Sequence, residues 1–191
     1  MIIERVLSPV HSLGPGERVC LWVKGCSKNC EGCISPEMQD PHGRAIDDRA
    51  LGDVITQIAR RSGCRGLTVS GGDPLEQPQA LLPFLERVRD SFDDILVYTG
   101  YELSEIMDGA AGETGIECLR YIDVLIDGRY QKKLNTPDCV LRGSSNQKIH
   151  FINKEIKPFY DEYMKRGRIV ESFVHDNVTV ITGILNEEAQ E

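Results

Sequence analysis

Cys26-Ser27-Lys28-Asn29-Cys30-Glu31-Gly32-Cys33 spaces three thiols as CxxxCxxC. A closed thiolate site, whether for zinc or for an iron–sulfur cube, takes four ligands, and no fourth cysteine stands beside this run. Three thiolates on one short loop fit a [4Fe-4S] cluster with one iron left open to a small molecule carrying amino and carboxylate groups. Zinc is an alternative that needs a further ligand, from Cys20, Cys64 or a histidine, and His11, His42, His150 and His175 form no spaced pair. A non-catalytic iron–sulfur electron carrier is another, although carriers usually close the cluster with four cysteines. Cys20, Cys64, Cys118 and Cys139 stand singly and read as small core residues or surface thiols.

A ligand on an open iron needs a cradle. Ser70-Gly71-Gly72-Asp73-Pro74 directly follows the apolar stretch Leu67-Thr68-Val69. Two glycines let a ligand approach the backbone, while the free carbonyls of a strand end and the Asp73 carboxylate can receive an ammonium. Gly-Gly-Asp-Pro alone is a common turn. Its place after the cysteine loop and one βα unit makes it more specific.

The elements that must position these groups alternate. Residues 18–24 are apolar and β-branched, predicting a strand that ends at Gly25, just before the cysteine loop. Asp47 can cap a helix to about Ser62, with Leu51, Val54, Ile55 and Ile58 on one face and Gly63 as its stop. A strand over residues 67–69 feeds the glycine turn. A helix over about residues 77–91 then buries Leu81, Leu82, Leu85 and Val88, with Pro83 an early interruption. Residues 95–98 form the next strand, followed by Thr99-Gly100 and a short helix over 103–107. Residues 121–126 form another, ending in Asp127-Gly128. This alternation predicts an α/β fold with a parallel sheet and helices packed outside it. The candidate groups fall at strand ends, where parallel sheets put ligands. The strands are too few for an eight-fold barrel, so a partial, open β/α barrel is the expectation.

Residues 155–166 read as a helix, and 168–174 and 178–182 alternate around His175-Asp176-Asn177 as a hairpin that extends or covers the sheet edge. Residues 1–153 are thus expected to form the core, and 154–191 an extension packed on it within one domain. A chain of 191 residues is long enough for one well-buried core. Lys and Arg total 22 against 30 Asp and Glu, a net charge of −8 with no basic block. That balance argues against tracking along a phosphate backbone, and so against a nucleic-acid partner. Residues 1–6 are too short an apolar run for a signal peptide or membrane span, so no membrane partner is expected. Seven cysteines without a secretory signal point to a reducing compartment, hence a cytoplasmic protein.

Together the cysteine loop and the glycine turn resemble the radical S-adenosylmethionine (SAM) superfamily, marked by CxxxCxxC and a later GGEP-like turn. Further segments occur in one order: Gly14-Pro15-Gly16 ahead of residues 19–25, then Ser70 to Leu75, Val97-Tyr98-Thr99-Gly100-Tyr101, residues 123–128 and Arg142-Gly143-Ser144-Ser145-Asn146-Gln147. In that order they resemble the activating enzymes of anaerobic (class III) ribonucleotide reductases, relatives of the pyruvate formate-lyase activating enzymes. The resemblance covers about residues 12 to 150.

It implies a radical SAM oxidoreductase with a [4Fe-4S] cluster on Cys26, Cys30 and Cys33 and S-adenosylmethionine on the fourth iron. One electron, from a flavodoxin-like or other one-electron reductant, cleaves the sulfonium to methionine and a 5′-deoxyadenosyl radical. That radical takes a hydrogen atom from a glycine of the partner glycyl radical enzyme. By the same resemblance, Gly71, Gly72 and Asp73 would hold the methionine amino group and Thr99 would contact the cofactor. Asp127 and Arg129 would act catalytically near the methionine carboxylate and the substrate peptide, and Arg142, Asn146 and Gln147 would reach the adenosine or carboxylate. A turn-forming Asp before Gly128 and a serine-capped polar loop are the plainer readings of Asp127 and of 142–147. The chain runs about 40 residues past that loop, which keeps open a radical enzyme for another protein or peptide.

Overall fold

The computed structural model describes residues 1–175 and 178–185. β1 (Ile3–Val10), β2 (Arg18–Val23), β3 (Gly66–Gly71), β4 (Asp94–Tyr98), β5 (Val124–Asp127) and β6 (Lys148–Phe151) pair in that order into one sheet. β2 to β5 are parallel, whereas β1 and β6 run antiparallel to their neighbours. The sheet is therefore mixed, where alternation alone predicted a parallel one, and the connections explain why. A parallel pair needs a crossover. α1 (Asp48–Ser62), α2 (Pro78–Val88) and the pair α3 (Leu103–Met107) and α4 (Gly112–Cys118) supply one for each parallel step. Residues 11–17 and 128–147 join β1 to β2 and β5 to β6 without an α-helix.

Asp47 caps α1 by accepting a hydrogen bond from Ala50 N, and Gly63 closes it. Leu51, Ile55 and Ala59 are the buried face of α1, while Val54, expected among them, is exposed. In α2, Phe84 joins Leu81, Leu85 and Val88 in the core, and Leu82 is only half-buried. α4 carries no sequence signal, because Gly112 and Gly115 are poor helix formers. Packing against α2 holds it.

Alternate residues of the central strands face opposite layers. Val19, Leu21, Val23, Leu67, Val69, Ile95, Val97 and Leu125 share one core with α1, α2 and α4. On the other face, Leu96, Val124 and Ile126 lie under Tyr160 and Tyr163 of α5 (Lys157–Met164), and Cys20 and Trp22 pack near Leu13, Met38 and Phe173. The amino-terminal end of that second face is closed by Arg18. Its guanidinium donates to Asp94 (2.9 and 3.0 Å), Thr68 Oγ1 (2.7 Å) and the carbonyls of Leu67 and Pro15. The carboxyl-terminal end is left for a cavity.

β7 (Val170–His175) and β8 (Val178–Gly183) form a separate two-stranded sheet, so the hairpin covers the main sheet and does not extend it. Residues 176 and 177 of the expected turn lie outside the described residues. The Glu171 carboxylate accepts from His11 N (2.8 Å) and Ser12 N (2.7 Å), and Ser12 Oγ meets Thr182 Oγ1 at 2.9 Å. Among the described residues, no helix is long and apolar enough to cross a membrane.

Candidate metal centre and active site

The cysteine loop begins where β2 ends. Gly25 N donates to Met38 O (2.8 Å) and Cys26 N to Gln39 O (3.1 Å), closing the loop at its base. Within it, Asn29 (φ 48°) and Gly32 (φ 72°) take left-handed backbone, which Asn and Gly adopt at least cost. The chain so turned presents Cys26, Cys30 and Cys33, all free and partly exposed, to one cavity. Cys20, Cys64, Cys118 and Cys139 are buried and do not line it.

Ligands of a single tetrahedral zinc would sit about 3.8 Å apart. Among the described residues, the one set of three donors within 4.8 Å of one another is Cys26, Asp73 and Glu76, not the three thiols. Burial, with Asp73 and Glu76 close by, pushes the Cys26 thiol up to about 11.

Glu76 anchors this loop. Its carboxylate accepts from Ser27 N (2.9 and 3.0 Å), Ser27 Oγ (2.6 Å) and Lys28 Nζ (3.1 Å). Lys28 Nζ also lies 3.3 Å from the centroid of the Tyr101 ring. Burial alone would lower the lysine pKa, but Glu76 and Tyr101 outweigh it and the net shift is upward, so the ammonium stays charged. Sequence reasoning missed Lys28, Glu76 and Tyr101. Only their convergence in space marks them.

The glycine turn clasps the base of the same loop. Gly72 N donates to Val23 O and Asp73 N to Gly25 O, each at 2.8 Å. A Cβ at Gly71 would lie 2.3 Å from Val23 O, and one at Gly72 2.3 Å from Gly25 O. Both glycines line the cavity, yet the protein's own backbone is what forbids a side chain there. Asp73 is fully buried behind the cavity wall. It accepts from Thr99 Oγ1 (2.8 Å), Gly100 N (2.9 Å) and Leu75 N (3.0 Å), and burial pushes its carboxyl up to about 6. Through Thr99 and Gly100 it couples the ends of β3 and β4. Thr99, held by it, does line the cavity.

The remaining expected residues divide. Asp127 is buried off the cavity, accepting from Leu103 N (2.7 Å) and Lys148 N (3.2 Å) and paired with His150 Nε2 (2.7 Å). Arg129 is exposed, 4.0 Å from Glu105. Arg142 donates to Gln147 O (2.9 Å) and Asn146 to Arg129 O (2.9 Å), and neither reaches the cavity wall. Gln147 does. Its side-chain oxygen accepts from Gly143 N (2.8 Å) and Ser144 N (3.1 Å), and its amide donates to Gly128 O (2.8 Å). Unforeseen wall residues are the aromatics Trp22, Tyr98 and Tyr130, with Tyr98 oriented by donation to Leu141 O (2.7 Å).

Three free thiols on one cavity, with no fourth beside them, offer a donor set that fits a cluster with one open iron. Comparison with known proteins agrees. Residues 12–150 match the model of the 4Fe-4S single cluster domain. The anaerobic ribonucleoside-triphosphate reductase-activating protein of Haemophilus influenzae is 39% identical over 143 residues, which are 72% of this chain and 89% of that one. The chain belongs to this family. The activating protein of Escherichia coli K12 is 34% identical over 149 residues (73% and 91%), and that of Enterobacteria phage T4 34% over 141 (71% and 85%).

In this chain the family match stops at residue 150, but the cavity wall does not. Residues 181–185 complete it, held by Asn135 Nδ2 and Arg168 Nη1 donating to Leu185 O at 3.2 and 3.1 Å. Period-2 alternation revealed the hairpin, but not where it docks.

Proposed function

We infer that this chain is a radical SAM activase that installs a glycyl radical in an anaerobic ribonucleotide reductase. One observation carries the reading: three free thiols share a single cavity with the carboxyl ends of β3 and β4, in a member of the activating-protein family. Cys26, Cys30 and Cys33 would hold a [4Fe-4S] cluster, which when bound supplies the electron that cleaves S-adenosylmethionine to a hydrogen-abstracting 5′-deoxyadenosyl radical. A flavodoxin-like protein or another one-electron reductant would feed it, in the cytoplasm.

The chain's own residues bind, orient and exclude water. Glu76 and Lys28 hold the cysteine loop against the glycine turn. The backbone at residues 70–72, with Thr99 and Gln147, gives the cavity its polar positions for an amino acid moiety. Trp22, Tyr98 and Tyr130 offer apolar faces for an adenine ring. Asp73, Asp127, Arg142 and Asn146 act one layer back, fixing the strand ends and the 142–147 loop. The strand order β1 to β6, with α1, α2 and α4 on one face and the cavity on the other, supports a partial, open β/α barrel of the radical SAM type. Residues 1–153 would be its core and 154–191 an extension within the same domain.

The test is anaerobic. The loaded protein is mixed with reductant, S-adenosylmethionine and the catalytic subunit of the reductase from the same source. A glycyl doublet in the EPR spectrum with matching 5′-deoxyadenosine is expected. Free 5′-deoxyadenosine without the doublet would move the target to another protein, and neither signal from an intact cluster would end the activase reading.

A further inference from the structure

Abstraction of a hydrogen atom requires the reacting atoms to approach within about 3–3.5 Å. Whatever segment carries the target glycine must therefore cross the rim of the cavity. Two isoleucines line the cavity and remain more than half exposed: Ile34, next to Cys33, at 54%, and Ile181 of β8, at 57%. Ile181 also belongs to a larger surface. The hairpin register pairs Val170 with Gly183, Ser172 with Ile181 and Val174 with Thr179, and paired residues share one face of an antiparallel sheet. That face bears no charge, in a chain that is 27% Asp, Glu, Lys and Arg. Val170 and Val174 on it are 50% and 74% exposed.

The opposite face anchors the hairpin. There Glu171 and Thr182 bond the 11–12 backbone and Ser12, and Phe173 packs beside Leu13 and Trp22. The hairpin thus has one face fastened to the body. The other is uncharged, carries Val170, Val174 and Ile181 among Ser172, Thr179 and Gly183, and is continuous with the cavity mouth. Loss of charge around aliphatic side chains is the composition of an interface centre, not of a solvated strand pair.

We propose that Val170, Val174 and Ile181 form the docking surface for the catalytic subunit of the reductase, seating its glycine-bearing segment between Ile181 and Ile34. This rests on the activase reading and adds where the partner binds. The surface lies outside the 12–150 match, so it is a partner-selecting addition to the cluster core.

The test uses the full-length, cluster-loaded protein carrying Val170→Lys and Val174→Lys, neither of which lines the cavity. The purified catalytic subunit from the same source is the probe. The Kd for that subunit, and its KM in glycyl-radical formation, are expected to rise about tenfold or more, the cost of burying charge at an interface centre. Iron content and dithionite-driven 5′-deoxyadenosine release without the subunit should not change. Phe159→Lys, on α5 away from the cavity and 70% exposed in the wild type, should leave Kd unchanged.

An unchanged Kd in the double variant overturns the proposal, as does equal weakening by Phe159→Lys. So does a variant that only breaks self-association in sedimentation while binding the subunit normally. If the double variant loses iron, Val174→Thr replaces it, and a rise in Kd of two-fold or more with normal iron is then the required result. A wild-type protein that cleaves S-adenosylmethionine but never produces the glycyl doublet refutes the activase reading. A wild-type protein that produces it, with equal radical formation by the double variant at sub-saturating catalytic subunit, refutes the docking surface alone.

Discussion

A methyl group at Gly72 would have to enter space held by Gly25 O at 2.3 Å and Met38 O at 2.8 Å, neither of them the movable end of a side chain. Gly72→Ala is expected to destabilise the fold by about 2–3 kcal/mol in urea unfolding. It should also lower the iron retained per chain, because the clash displaces the first residues of the cysteine loop. The seven cysteines should separate by position. Cys30→Ala is expected to abolish both cluster assembly and 5′-deoxyadenosine release. Cys118→Ala, in the core beside α2, should cost about 1 kcal/mol and leave iron content intact. At this scale the grouping of the three thiols was legible, because CxxxCxxC puts them on one short loop. The surroundings of Asp73 and Asp127 were not, since a residue type does not say which donors will surround it. Both carboxylates turned out to be occupied by backbone amides and neighbouring side chains.

Among the elements, β2 depends most on one side chain. Arg18 is fully buried and ties β2 to β3 through Thr68 and to β4 through Asp94, which also accepts from the Tyr160 hydroxyl of α5. Arg18→Leu would leave the largely buried Asp94 side chain without its cation. A loss of about 3–5 kcal/mol is expected, measured by denaturant unfolding. Element types were readable where a cap or an alternation announced them, as at Asp47, Gly63 and the central strands. β1, β6 and α4 carried no such signal. The first two are edge strands whose partners select them, and α4 holds its shape by packing on α2 despite two glycines.

For the whole molecule, the hairpin latch makes a separate claim. Glu171 alone accepts two backbone amides from the loop before β2. Hydrogen bonds to a charged group contribute about 1.5–3 kcal/mol each. Glu171→Ala should therefore speed amide exchange across Val178–Gly183 by at least tenfold, read by hydrogen–deuterium exchange, while β3 and β4 stay protected. The thiol spacing, the helix stops and the strand alternation were determined by the chain itself, because each arises between residues a few positions apart. The mixed sheet, the Glu76–Lys28 anchor and the closing of the cavity by residues 181–185 were decided only in three dimensions. Glu171 and His11 stand 160 positions apart, and no periodicity encodes a bond whose partners are brought together by packing alone.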